Sequence, residues 1–124
     1  MSRNFGESTG ARSEVEQPEK DRRAARKGDF FFAAFWVGPG DARRSPVFII
    51  GEDGDPLDVI ACSCTTSPPR SELDVRVTLK KTTYVRTNKI YTIPRDQLEF
   101  RILQKAEPNE LNQIMQGLKK TLGL

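Results

Sequence analysis

Apolar side chains come in short bursts along the chain, separated by Gly, Pro and charged residues. Residues 30–37, with Phe30, Phe31, Phe32, Phe35 and Trp36, are aromatic-rich and end at Gly38-Pro39-Gly40, which predicts a first strand. A Gly-rich basic loop is expected over 38–45. A buried strand over 46–50 follows, with Pro46 first, where a missing N–H is tolerated. After an acidic turn over 51–56 comes a strand over 57–65, broken by Pro68 and Pro69. Residues 73–79 alternate apolar and polar, the signature of a half-buried strand. Residues 84–85 and 89–93 predict one or two short strands about a turn that contains Asn88. Residues 94–98 predict a helical turn, and 99–103 an edge strand. In the last segment, Leu111, Ile114, Met115, Leu118 and Leu122 fall at helical spacing, which predicts a helix over Pro108–Leu122 with one apolar stripe. Short strands at this spacing followed by one helix predict a small twisted barrel with a helical lid.

Residues 1–27 break the pattern. Beyond the first Met, only Phe5 and Val15 are large and apolar, so a disordered or loosely helical tail is expected, dispensable for a folded domain over 28–124. No apolar run approaches the roughly 20 residues of a membrane span. Residues 1–29 lack the apolar core of a secretory signal, which makes the cytoplasm the expected compartment.

Composition narrows the chemistry. Among 124 residues there is no His, which removes Ser-His-Asp and Cys-His nucleophile pairs and every His metal ligand. Catalysis is left to carboxylates, Lys, Arg, Tyr, Cys, hydroxyls or the backbone. The net charge is +3, with both signs spread along the chain, so a nucleic-acid site would be a local patch. Cys62 and Cys64 share one face of a strand; two cysteines are too few for a zinc site and too close for a structural disulfide.

The order of several motifs resembles the MazF/PemK family of toxin endoribonucleases from bacterial toxin–antitoxin modules, over residues 27–124. Lys27-Gly28-Asp29 before an apolar strand resembles the family's opening. Ser45-Pro46-Val47-Phe48-Ile49-Ile50 resembles its Arg-Pro-apolar second strand, and residues 58–66, with Thr65, its third, which ends in Thr. Residues 84–93 resemble its last long strand with the Ile-x-Thr-Ile ending.

The resemblance implies an SH3-like β-barrel with a C-terminal helix, usually a homodimer. It implies cleavage of single-stranded RNA without metal or other cofactor, and neutralisation by an acidic segment of a cognate antitoxin. The family's catalytic pair, an Arg directly before the strand-2 Pro and the strand-3 Thr, carries over to Thr65 but not to position 45, which is Ser. Arg44 is the expected replacement, with Thr65 as its catalytic partner. Arg43, Ser45, Thr66, Lys80 and Arg86 are expected to contact nucleic acid. A one-residue shift at a strand turns a side chain to the opposite face, so the pairing of Arg44 with Thr65 needs an irregular loop there. Without the family pattern, Arg43-Arg44 reads as a solvated turn, Thr65-Thr66 as a strand end and Lys80-Lys81 as a hairpin tip. Two other functions fit the same barrel: a non-catalytic module binding nucleic acid or protein, and a toxin acting on a protein target.

Overall fold

The computed structural model describes residues 17–52 and 56–124. Residues 17–23 are helical (α1). Six strands follow: β1 (Phe30–Gly38), β2 (Asp41–Gly51), β3 (Asp58–Thr65), β4 (Asp74–Thr78), β5 (Thr82–Pro94) and β6 (Leu98–Ile102). A 3₁₀ turn over Arg95–Gln97 lies between β5 and β6, and helix α2 (Pro108–Leu122) closes the chain. All strand pairs are antiparallel, in the order β4-β5-β3-β2-β1-β6. The sheet curls until the tip of the β4–β5 hairpin faces β6: Leu79, Lys80 and Lys81 line one groove with Phe100, Ile102 and Leu103. This is the barrel with a terminal helix that the strand spacing predicts.

Each face of the sheet carries a core. Phe31, Ala33, Phe35, Val47, Ile49, Val59, Ala61, Ile93 and Leu98 form one. Phe30, Phe48, Cys62, Cys64, Val75, Val77 and Val85 form the other, which α2 covers with Ile114 and Leu118. Successive β1 residues thus serve opposite cores, which is why that strand reads as a continuous apolar run. The two cysteines do share a face as free, buried thiols; burial pushes Cys62 up to about 12 and Cys64 higher still. Neither supplies a nucleophilic thiolate near neutral pH.

Two expected elements are corrected. The Gly-rich stretch 38–45 is mostly strand. Only Pro39 and Gly40 separate β1 from β2, and Gly40 takes φ +71°, so Pro-Gly makes a tight turn and the pairing resumes at Asp41. Arg43, Arg44 and Ser45 therefore lie in regular strand, paired with Phe35, Ala34 and Ala33. The expected break near Asn88 is a bulge inside one 13-residue strand. β3 advances two residues, Cys62 to Cys64, while β5 retreats from Ile90 to Val85. The excess residues turn Thr87 inward, fully buried, where its N–H and hydroxyl both donate to the Leu73 carbonyl at 3.0 and 2.7 Å.

Helix α2 starts at Pro108 behind a reciprocal capping box between Glu107 and Glu110 and ends at left-handed Gly123. Only the middle of its stripe is buried: Ile114 and Leu118 face the core, whereas Leu111 and Leu122 are 36% and 57% exposed. Gly117 passes so close to Thr87 that a Cβ there would sit 2.5 Å from Thr87 Oγ1.

Part of the expected tail, residues 17–27, packs against the barrel. Ala25 is 1% exposed within the first core. Arg95, itself buried, donates through Nη1 to the carbonyls of Arg22, Arg23 and Ala25 at 2.9, 3.2 and 2.9 Å, and so caps the end of α1. Small and charged residues join the fold through backbone carbonyls, which a count of large apolar side chains overlooks. The rest of the expected tail, 1–16, lies outside the described residues. No helix among the described residues is long and apolar enough to cross a membrane.

Candidate nucleic-acid interface

Strand β2 displays Arg43, Ser45, Val47 and Ile49 on one face and Arg44, Pro46, Phe48 and Ile50 on the other. In β3, Val59, Ala61, Ser63 and Thr65 share the face of Val47, because Val47 pairs with Ser63. Position 45 is therefore the natural neighbour of Thr65, and Arg43, two residues earlier, is the nearest arginine on that face. The structure brings Arg43 to Thr65. The two line one small polar hollow of about 180 Å³ together with Ser67, Arg70, Asp74 and Arg86. Arg43 Nη2 donates to the Cys64 carbonyl at 3.4 Å, which holds the guanidinium beside the end of β3. Thr65 Oγ1 accepts the Ser67 N–H at 3.1 Å, so its own proton is left to donate to a ligand.

Arg44 goes elsewhere. Its Nη2 meets Glu99 Oε1 at 2.7 Å, and its guanidinium lies 5.4 Å from the centre of the Phe32 ring. Its hydrogen bond and charge contact with Glu99 raise the Arg44 pKa further. The expected pair of Arg44 with Thr65 is not assembled, because β2 is regular at the position where an irregular loop was needed.

The other expected residues divide between two places. Arg86 shares the hollow with Arg43. Ser45 is 7% exposed and turns its hydroxyl to the Pro46 carbonyl at 3.2 Å, so it offers little to a ligand. Thr66 and Lys80 lie outside the hollow and line the neighbouring groove between the hairpin tip and β6.

Three arginines and one carboxylate line the hollow. Asp74 Oδ2 accepts the Arg70 N–H at 2.8 Å, and Oδ1 stands 3.5 Å from Arg86 Nε. Both of the latter atoms are shut off from solvent without a geometric hydrogen bond, so the contact is a charge pair that fixes Arg86 in place. The guanidinium of Arg70 and the terminal nitrogens of Arg86 have no protein partner among the described residues. The arrangement suits a phosphate, whose oxygens match the guanidinium fork. Arg70, Ser67 and Asp74 escape the sequence reading; the one available signal was Arg70 beside Pro68-Pro69, next to a candidate strand end.

Solved structures with this architecture are known. An endoribonuclease from Mycobacterial species superposes with a TM-score of 0.65 at 24% identity, over 82% of this chain and 93% of that one. An endoribonuclease in complex with its cognate antitoxin, also from Mycobacterial species, gives 0.67 at 23% identity, over 81% and 96%. MazF from Deinococcus radiodurans gives 0.68 at 17% identity, over 81% and 97%. The fold is that of the MazF toxins. No family model and no curated protein sequence matches the chain. Arg43, two positions before Ser45 on the same face of β2, lines the hollow with Thr65.

Proposed function

We propose that this protein is a toxin-type endoribonuclease that cleaves single-stranded RNA without metal in the Arg43–Thr65 hollow. The observation that carries the reading is that Arg43 of β2 and Thr65 of β3 line one hollow on the same face of the sheet, with Arg70 and Arg86 beside them. In the reaction, the ribose 2′ oxygen attacks phosphorus and the bond to the 5′ oxygen breaks, leaving a 2′,3′-cyclic phosphate and a 5′-hydroxyl. Charge gathers on the non-bridging oxygens as the phosphorane forms, and Arg43 stabilises it there. Thr65 donates its hydroxyl proton to the same phosphate and orients it. Arg70 and Arg86 hold the phosphate or its neighbour. The arginines keep their protons, and both Asp74 oxygens are occupied or enclosed. The 2′ proton therefore passes to water, and water protonates the leaving 5′ oxygen.

The test is incubation of the purified protein with a long single-stranded RNA in EDTA. Arg43→Ala is expected to lose about 10²–10³ in rate, the scale of removing one transition-state donor. Arg44→Ala is expected to cut at near the parent's rate. Equal rates for Arg43→Ala and the parent would sink the assignment. Ser45 in place of the family's arginine favours a second reading, a binding module on the same barrel, and a parent that cuts no RNA with or without metal would support it.

The structures of similar fold include complexes of an endoribonuclease with its antitoxin and of MazE with MazF. By analogy the proposal extends to a cognate antitoxin and to a homodimer acting in the cytoplasm.

A further inference from the structure

Next to the arginine hollow lies a second, larger recess of about 490 Å³ whose lining is mostly apolar. Phe32, Phe100, Leu79 and Ile102 form much of its surface, and Lys80 and Lys81 stand on its rim. The aromatic part is ordered as a stack. Phe32 and Phe100 lie 5.3 Å apart, centre to centre, with planes inclined by only 11°. Arg44 lies over Phe32 at 5.4 Å. Arg44 also reaches β6, where its Nη2 meets Glu99, the neighbour of Phe100, at 2.7 Å. The stacked pair ends on Phe100, which is 51% exposed.

We infer that this recess is a base-stacking site: an unpaired nucleobase of the RNA lies on Phe100 as the next layer of the stack, and a flanking phosphate sits on Lys80 or Lys81. The inference rests on RNA being the ligand proposed above and says how the chain is held beside the reacting phosphate. Two features favour a nucleotide over a peptide or a second copy of this chain. A flat aromatic end next to cations is the combination that binds single strands without sequence preference. The ammonium groups of Lys80 and Lys81 have no hydrogen-bond or ion-pair partner among the described residues, so both are available to phosphate. The linings of the recess and the hollow meet at the end of β3, where Thr65 lines the hollow and the next residue, Thr66, the recess. An RNA strand that passes around the end of β3, from the sheet face of Arg43 to that of Phe32, reaches both.

The experiment measures binding of a fluorescent, uncleavable 2′-O-methyl oligoribonucleotide of mixed sequence, and of an abasic oligomer of the same backbone and length. The proteins are the full-length parent, Phe100→Ala and Phe100→Trp, with their folding and oligomeric state checked by circular dichroism and sedimentation. Phe100→Ala is expected to bind the base-bearing oligomer about 5- to 150-fold more weakly, the range for losing one base–aromatic stack. The abasic oligomer should bind parent and variant alike, and Phe100→Trp should retain parental affinity. Unchanged affinity of Phe100→Ala for the base-bearing oligomer overturns the inference, and a changed oligomeric state with that result assigns the recess to a protein contact. Equal losses on both oligomers overturn it too. A parent that shows the stacking signature but cuts nothing keeps the site and sinks the cleavage reading. A parent that cuts, with Phe100→Ala binding as the parent does, has the reverse meaning. A parent that binds neither oligomer sinks both.

Discussion

A strand shows alternate side chains to opposite faces, so one residue of displacement separates a group from its partner whereas two keep them together. Arg43 and Arg44 illustrate both cases within three residues of Pro46: the first reaches the Cys64 carbonyl and the Thr65 hollow, the second stacks on Phe32. Away from that site, Asp29 is the residue with most riding on its charge. Its side chain is 6% exposed and meets Lys105 at 2.7 Å and Arg101 at 3.0 Å, and it accepts the Arg26 N–H at 3.1 Å. Burial alone would raise its pKa. The Lys105 hydrogen bond, the Arg26 N–H and the Arg101 charge outweigh burial and hold the carboxyl below its usual range. With the folded value depressed, the stabilisation is present above the unfolded pKa of about 3.9 and is lost as pH falls through the folded value. Asp29→Ala is therefore expected to cost about 3 kcal/mol at pH 7 in urea titrations. The gap from the parent should close as the pH is lowered past 3.9. A gap that stays constant with pH would mean the residue acts through packing rather than charge.

At the level of elements, two junctions hold the secondary structure to the sheet. One is the crossing of α2 over the β5 bulge. Gly117→Ala would normally favour a helix by about 1 kcal/mol, but its Cβ would press on Thr87 Oγ1, which is committed to the Leu73 carbonyl. Overpacking costs about 1–3 kcal/mol, so the thermal midpoint of Gly117→Ala is expected to fall; a rise would show that α2 shifts freely. The other junction is the end of α1. Removing residues 1–27 would take three carbonyl acceptors from buried Arg95 and leave Glu52, at 3.3 Å, as its partner. It would also take Ala25 from the core. The midpoint is expected to drop by several degrees, as a loss of about 1–2 kcal/mol does in a domain of this size, and an unchanged midpoint would restore the boundary at 27. Strands and the last helix were legible in the sequence because burial imposes a period on them. The extension of β2 back to Asp41 was not, because Asp41 to Arg44 carry no large apolar side chain and are partly or wholly exposed. The single long β5 was hidden by its bulge, which places Asn88 in the middle of a strand.

For the whole molecule, a net charge of +3 says little, because Glu19, Asp21, Asp29, Glu52 and Glu72 are held in ion pairs away from the interface. Folding gathers Arg43, Arg70 and Arg86 in the hollow and Lys80 and Lys81 on the groove beside it, with Asp74 the one acidic side chain lining either place. Thr65 was legible as a candidate for that site only through the resemblance of residues 58–66 to the family's third strand, which ends in Thr. Arg70 was not, since it joins the site only when the β3–β4 loop folds back over β2. Single-stranded binding loses about 0.7 in the slope of log K against log salt for each phosphate neutralised. Five cations, of which Arg86 is partly offset by Asp74, correspond to a slope of about −3 for an oligoribonucleotide long enough to cross both hollows. Lys80→Ala and Lys81→Ala should each flatten that slope by about 0.7 while leaving the cleavage rate at saturating RNA unchanged, because neither lysine lines the Arg43–Thr65 hollow. A double variant that keeps the parent's slope would move the RNA path off the groove. A double variant with the parent's slope and a reduced saturating rate would instead bring the lysines into the chemistry, against the division of labour between hollow and groove.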